Sequence, residues 1–137
     1  MERVEERLNQ AMKAVAALSE VVVIDQASAI WRDSAIKRFE LAFEATWKAA
    51  KSVLLVREGV EVSSPKGVIR SCREVGYLSD ALATEALLMA DDRNLAVHTY
   101  NEELAEQIYG RLKSHLTVLR AWVASLSVGD NEKQTGG

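Results

Sequence analysis

The chain has 137 residues, 48% hydrophobic and 27% charged, with one proline and seven glycines, a size and balance that admit one compact domain and exclude a second. Few turn formers and an abundance of Ala, Leu, Glu, Lys and Arg favour long helices over the short strands of an all-β fold. A net charge of −3 excludes binding of nucleic acid by bulk electrostatics, and the single cysteine, Cys72, excludes an intramolecular disulfide. The charged N-terminus and the lack of any apolar run of about 18 residues argue against export and against a membrane span, so a reducing cytoplasm is the expected location.

Val4, Leu8, Met12, Val15 and Leu18 recur at three- and four-residue steps and mark one stripe of a first helix. The β-branched run Val21 to Ile24 has no partner strand, and Asp25 and Ser28 after it are candidate caps, so it reads as a helix end or an apolar connection. From Ser28 to Glu58 the positions Ile36, Phe39, Phe43, Trp47, Ala50 and Leu54 hold helical period, giving the longest helix. Residues 59–67 hold the only proline; Pro65 after Ser63 and Ser64 suits the first turn of a third helix, with Val68, Ile69, Cys72 and Val75 inward until Gly76 stops it. Ser79 then caps a fourth helix reaching towards Val97, and Asn101, followed by Glu102 and Glu103, caps a fifth. The fifth carries Leu104, Ile108, Leu112, Leu116, Leu119 and Val123 and ends near Ser127. The expected organisation is one all-α, up-and-down antiparallel four-helix bundle of four to five helices over residues 1–128, with a mobile polar tail at 129–137.

No P-loop, Gly-x-Gly-x-x-Gly turn or Gly-Ser with paired aspartates is present, and His98 and His115 stand on different helices without a second ligand at metal-binding spacing, so no metal or cofactor site is expected. Chemistry concentrates instead in the stretch Asp91 to Asn101, where Arg93, Asn94, His98 and Tyr100 crowd the junction between the last two helices. Continued helix would put Asn94 and His98 on one face, with the amide orienting the imidazole, and Arg93 about 140° round the axis. Arg93 must then reach around, or a second subunit must complete the site. Plainer roles exist for each group: Arg93 pairing with Asp91 or Glu102, His98 serving only the helix dipole, Tyr100 packing near Leu104. Trp31, Trp47 and Trp122 read as core or interface anchors, Cys72 as a buried thiol, and Lys66, Arg70 and Arg73 as a solvated face.

The spacing Arg93-Asn94-x-x-x-His98-x-Tyr100 resembles the Arg-x4-6-His-x-Tyr signature of the HEPN superfamily, in particular the HepT-type toxins and the nucleotidyltransferase substrate-binding subunits. Ala35 to Glu40, the restart at Ser63 to Lys66, and the run from His98 to Tyr109 extend the likeness over about Arg32 to Leu119. The resemblance implies a HEPN-like bundle that forms a homodimer with two motifs facing across a cleft, and a minimal nucleotidyltransferase as partner. It also implies metal-independent endoribonuclease chemistry on RNA, with Arg93 and His98 catalytic, Asn94 positioning the substrate and Tyr100 the residue that AMPylation would silence. Asp91 and Asp92 depart from a basic setting for RNA and keep open a second reading, a non-catalytic substrate-binding subunit of a two-component nucleotidyltransferase. The sequence leaves open whether the protein is an enzyme.

Overall fold

Short polar side chains start four of the described helices and glycines stop two of them. In a computed structural model, which describes residues 3–23 and 28–136 with side chains as far as 128, α1 spans Arg3–Val22, α2 Ala29–Glu58, α3 Pro65–Val75, α4 Asp80–Leu95 and α5 Glu102–Gly136. A 3₁₀ turn covers Ala96–His98, and no strand occurs among the described residues. The hydroxyls of Ser28, Ser64 and Ser79 accept the amide hydrogens of Trp31, Gly67 and Leu82 at 3.0, 3.1 and 3.2 Å, and the Asn101 side chain accepts that of Leu104 at 3.1 Å. Each cap satisfies a donor that the helix itself cannot reach. Gly59 and Gly76 leave α2 and α3 at φ of 67° and 96°, a left-handed turn that a side chain would strain. Ile24 and the candidate cap Asp25 lie outside the described residues.

The elements depart from their expected limits at the ends of α4 and α5. The α-helical part of α4 stops at Leu95, short of Val97, because Thr99 Oγ1 donates to the Ala96 carbonyl at 3.1 Å and the Asn101 amide to that of His98 at 3.1 Å, local bonds that favour a tighter turn. Helix α5 continues to Gly136 where the apolar rows end near Ser127, since propagation adds a hydrogen bond per residue once a helix exists. Val75 is exposed and does not extend the inward row of Val68, Ile69 and Cys72.

The helices form an all-α, up-and-down bundle in which α1, α2 and α5 pack on one another, α3 lies on α2, and α4 bridges α3 and α5. Phe39, Phe43 and Leu54 of α2, Ile69 of α3, Met89 of α4, and Ile108, Leu112 and Trp122 of α5 are fully buried in one core, each contributing about 1.5–3 kcal/mol by leaving water. Buried Cys72 belongs to the same core, and desolvation pushes its thiol up to about 11, which leaves it unreactive at neutral pH. Polar side chains tie the helices at their ends: Arg38 donates to the Ala17 carbonyl at 2.7 Å, Trp31 Nε1 to that of Val21 at 3.1 Å, and Arg57 to that of Leu126 at 2.8 Å.

A carboxylate lies inside. Asp92, on the last turn of α4, is 5% exposed and receives Arg111 Nε and Nη2 at 2.8 Å each, while His115 Nε2 stands 2.6 Å from its Oδ2. Burial works against the charge, but the hydrogen bonds from Arg111 and His115 outweigh it and hold the carboxyl below its ordinary 3.8. A carboxyl whose pKa drops on folding adds stability above its unfolded value and loses that contribution as pH falls through the lower folded value. Asp92→Ala is therefore expected to lower the unfolding free energy at neutral pH by about 3 kcal/mol, mostly by stranding the buried His115. The wild-type protein should lose stability as the pH drops below 3.8, with a shallower loss in the variant. Urea denaturation followed by circular dichroism across pH 2 to 7 (roughly the range in which carboxyls titrate) measures both.

Candidate functional site

Arg93 follows Asp92 on the same turn, and at about 100° per residue the two side chains leave α4 in different directions. Asp92 points at α5 and Arg93 at α2. The Arg93 guanidinium lies over the Phe43 ring, 5.2 Å from its centroid, with Nη2 3.7 Å from Glu44 Oε2. Its partner is thus Glu44, not Asp91 or Glu102. Asp91 takes Lys66 Nζ at 2.5 Å and Glu102 stands 3.9 Å from Arg32. Glu44 also accepts Trp47 Nε1 at 2.9 Å and lies 3.3 Å from Lys48 Nζ. Burial opposes its charge, but the Trp47 and Lys48 hydrogen bonds and the nearby Arg93 prevail and keep the carboxyl below its usual range. Arg93 Nε is buried with no hydrogen-bond partner among the described residues, and the guanidinium is held by stacking and a long ion pair, with the side chain 28% exposed.

His98 and Tyr100 form the second half of the site, on the turn between α4 and α5. His98 Nδ1 and the Tyr100 hydroxyl are 3.2 Å apart, with the rings edge to face and their centroids 5.7 Å apart. Tyr100 is 82% exposed, so packing against Leu104 is not its role. When Nδ1 donates to the phenol oxygen, Nε2 presents the lone pair that a general base needs. Asn94 is exposed and makes no hydrogen bond to His98, because the 3₁₀ turn interrupts the helical register that would have aligned them. Nor does any hydrogen bond or ion pair join Arg93 to His98 among the described residues. The motif's cation and its imidazole have different partners.

Sequence reasoning missed the groups that hold Arg93 in place: Phe43 beneath it, Glu44 beside it, and the Asp92, Arg111 and His115 cluster behind it. His115 is a hydrogen-bonding core residue stacked on Phe39, with centroids 5.1 Å apart and planes 22° apart. A signal existed, since Arg111 and His115 are one turn apart beside the inward row Leu112, Leu116 and Leu119, and a polar group there requires an inward partner. Asp91 and Asp92, taken from the sequence as acidic neighbours that would repel RNA, each have a cationic partner of their own. Arg70 and Arg73 are exposed on α3, as expected of a solvated face, and Trp122 is fully buried.

Residues 6–128 match the family model described as nucleotidyltransferase substrate binding protein like. A protein from Thermus thermophilus of known crystal structure is 49% identical, with a TM-score of 0.82 over 85% of this chain and 98% of that one. A Haemophilus influenzae protein, whose structure is described as revealing the fold of a substrate binding domain of a nucleotidyltransferase, is 20% identical, with a TM-score of 0.74 over 88% of this chain and 98% of that one. A toxin-antitoxin crystal structure with AMP-PNP contains a chain 14% identical, with a TM-score of 0.73 over 92% of this chain and 98% of that one. The last two likenesses concern the fold. No curated protein matches the chain significantly. The family model spans α2, α3 and α4 whole and most of α1 and α5, and it runs through the whole Arg93 to Tyr100 junction: the chain belongs to the nucleotidyltransferase substrate-binding protein-like family.

Proposed function

We propose that this protein is a HepT-like HEPN toxin of a toxin–antitoxin pair, a metal-independent endoribonuclease that a partner minimal nucleotidyltransferase neutralises by adenylylating Tyr100. The observation that carries the reading is the junction itself: a partly exposed guanidinium held only by a ring and a long ion pair on the last turn of α4, and an imidazole hydrogen-bonded to an exposed phenol on the turn that follows. In the reaction, His98 takes the proton of a ribose 2′-hydroxyl, the 2′-oxygen bonds to the adjacent phosphorus, and the bond to the 5′-oxygen breaks. That oxygen takes up a proton from solvent and leaves as a hydroxyl, His98 returns its proton to solvent, and the product is a 2′,3′-cyclic phosphate. Arg93 binds the phosphate and offsets the charge that grows on it, while exposed Asn94 is free to contact the nucleotide. Arg93→Ala and His98→Ala should each lower RNA cleavage by about a hundredfold or more with unchanged helicity, and EDTA should leave the rate unaltered. Gel assays on purified protein, read beside circular dichroism, give the answer, and a His98→Ala protein that still cleaves removes the mechanism.

Tyr100 is the control point of this reading. Its hydroxyl attacks the α-phosphorus of ATP held by the partner, the tyrosine proton is lost, pyrophosphate leaves, and an AMP ester remains beside the motif. The added anion competes with an RNA phosphate for Arg93 and obstructs the approach to His98. Support comes from the toxin–antitoxin crystal structure of the same fold, which contains AMP-PNP. Intact mass after incubation with the partner, ATP and magnesium should rise by whole AMP increments in the wild type and stay constant in Tyr100→Phe.

The reading also needs a homodimer, which brings Arg93 of one copy and His98 of the other into a shared cleft. In support, Leu88 and Leu95 lie two turns apart on one stripe of α4, and with Val97 beyond them they are exposed right up to the motif. Light scattering at micromolar protein should report twice the chain mass of 15.1 kDa. The second reading, a non-catalytic subunit that presents substrate to a nucleotidyltransferase, is favoured by the different partners of the two groups, Glu44 for Arg93 and Tyr100 for His98, and by the fold shared with the Haemophilus influenzae substrate binding domain. Growth arrest on expression of this protein alone, lost in His98→Ala, distinguishes the toxin from the subunit.

A further inference from the structure

We propose that Asp92, Arg111 and His115 are positioning residues for Arg93: they set the place of its guanidinium through a closed ring of contacts that runs through the core. This rests on the catalytic reading of Arg93, and it adds three residues outside the motif to that site.

The ring can be followed contact by contact. Asp92 Oδ2 is 2.6 Å from His115 Nε2, the His115 imidazole stacks on Phe39 at 5.1 Å, Phe39 and Phe43 are successive rings on α2 with centroids 6.4 Å apart, and Phe43 supports the Arg93 guanidinium at 5.2 Å. Arg93 is bonded covalently to Asp92, which closes the circuit. Every member except Arg93 is almost fully buried: Asp92 is 5% exposed, His115 4%, and Phe39 and Phe43 are inaccessible. Such an interior is close-packed and transmits displacement, so the imidazole cannot shift without moving the ring beneath Arg93.

Arg111 locks the circuit from outside. Its fork makes two parallel bonds to Asp92, both at 2.8 Å, a geometry that fixes the carboxylate plane as well as its position. The last turn of α4 depends on this clamp because a helix end lacks intrahelical partners and frays unless tied. Other polar ties near it are the Lys66 to Asp91 pair, which is exposed and weak, and the 3.7 Å contact between Arg93 and Glu44. The buried carboxylate is therefore the fixed point from which the turn carrying Arg93 is measured.

The test uses Arg111→Gln, because Arg111 is half exposed and its replacement leaves the core filled, with Arg111→Lys as the conservative variant. In protein carrying ¹⁵N-labelled arginine, the Arg93 Nε–Hε resonance, assigned by its loss in Arg93→Lys, reports the guanidinium directly. RNA cleavage supplies kcat and KM, and circular dichroism confirms the fold. Arg111→Gln should shift and broaden the Arg93 resonance and lower kcat about tenfold or more with KM within about twofold, and Arg111→Lys should recover part of both changes. An unchanged Arg93 resonance with unchanged kcat, accompanied only by a lower melting temperature, overturns the proposal and leaves the cluster a stability device. If wild-type protein cleaves no RNA, the catalytic reading fails, and the Arg93 resonance still decides whether the clamp positions that side chain.

Discussion

A carboxylate withdrawn from water costs several kcal/mol unless its lone pairs are met by donors and its charge by a cation. Asp92 imposes that requirement on the junction of α4 and α5, and Arg111 and His115 meet it with three bonds between 2.6 and 2.8 Å. Both come from α5, one turn apart, so satisfying one side chain fixes the register of two helices. An apolar residue at position 92 would leave the helices free to slide by fractions of a turn, since hydrophobic contact is non-directional. A buried ion network is weak evidence for added stability but serves well to specify one arrangement.

The site that grows from this anchor has two halves of different rigidity. Arg93 is confined between Phe43 and Glu44 against the core, whereas His98 closes the 3₁₀ turn and Tyr100 stands two residues beyond it, both exposed. In the proposed reaction the phosphate-binding group is preorganised, while the proton-transfer group lies on a segment able to adjust when a substrate or a second subunit arrives. An exposed phenol beside the imidazole also leaves the modification target accessible without unfolding.

Charge is distributed accordingly. The chain carries a net −3, yet several acidic residues near the motif are engaged: Asp91 with Lys66, Asp92 with Arg111 and His115, Glu102 and Glu106 with Arg32. Among the described residues only Glu44 competes for Arg93, at a distance too long for a hydrogen bond. A phosphate making bidentate contact offers the guanidinium more than Glu44 does. Local pairing, more than total charge, therefore decides whether an anion is tolerated here.

The helices were legible in the sequence because their signals are local. Ser28, Ser64, Ser79 and Asn101 cap where they stand, Pro65 and the two turn glycines act on their own backbone, and a 3.6-residue period needs only neighbours along the chain. The motif was legible for the same reason, as a spacing within eight residues. What the tertiary structure alone decided is which groups surround it: Glu44 and Phe43 lie about fifty residues before Arg93, and Arg111 and His115 about twenty after Asp92. Those partners meet only when α2, α4 and α5 pack, and the 3₁₀ turn that separates Asn94 from His98 follows from the hydrogen bonds of Thr99 and Asn101, which override the helical periodicity of the sequence. Spacing along a chain determines which residues share a helix face; packing between helices determines what that face meets.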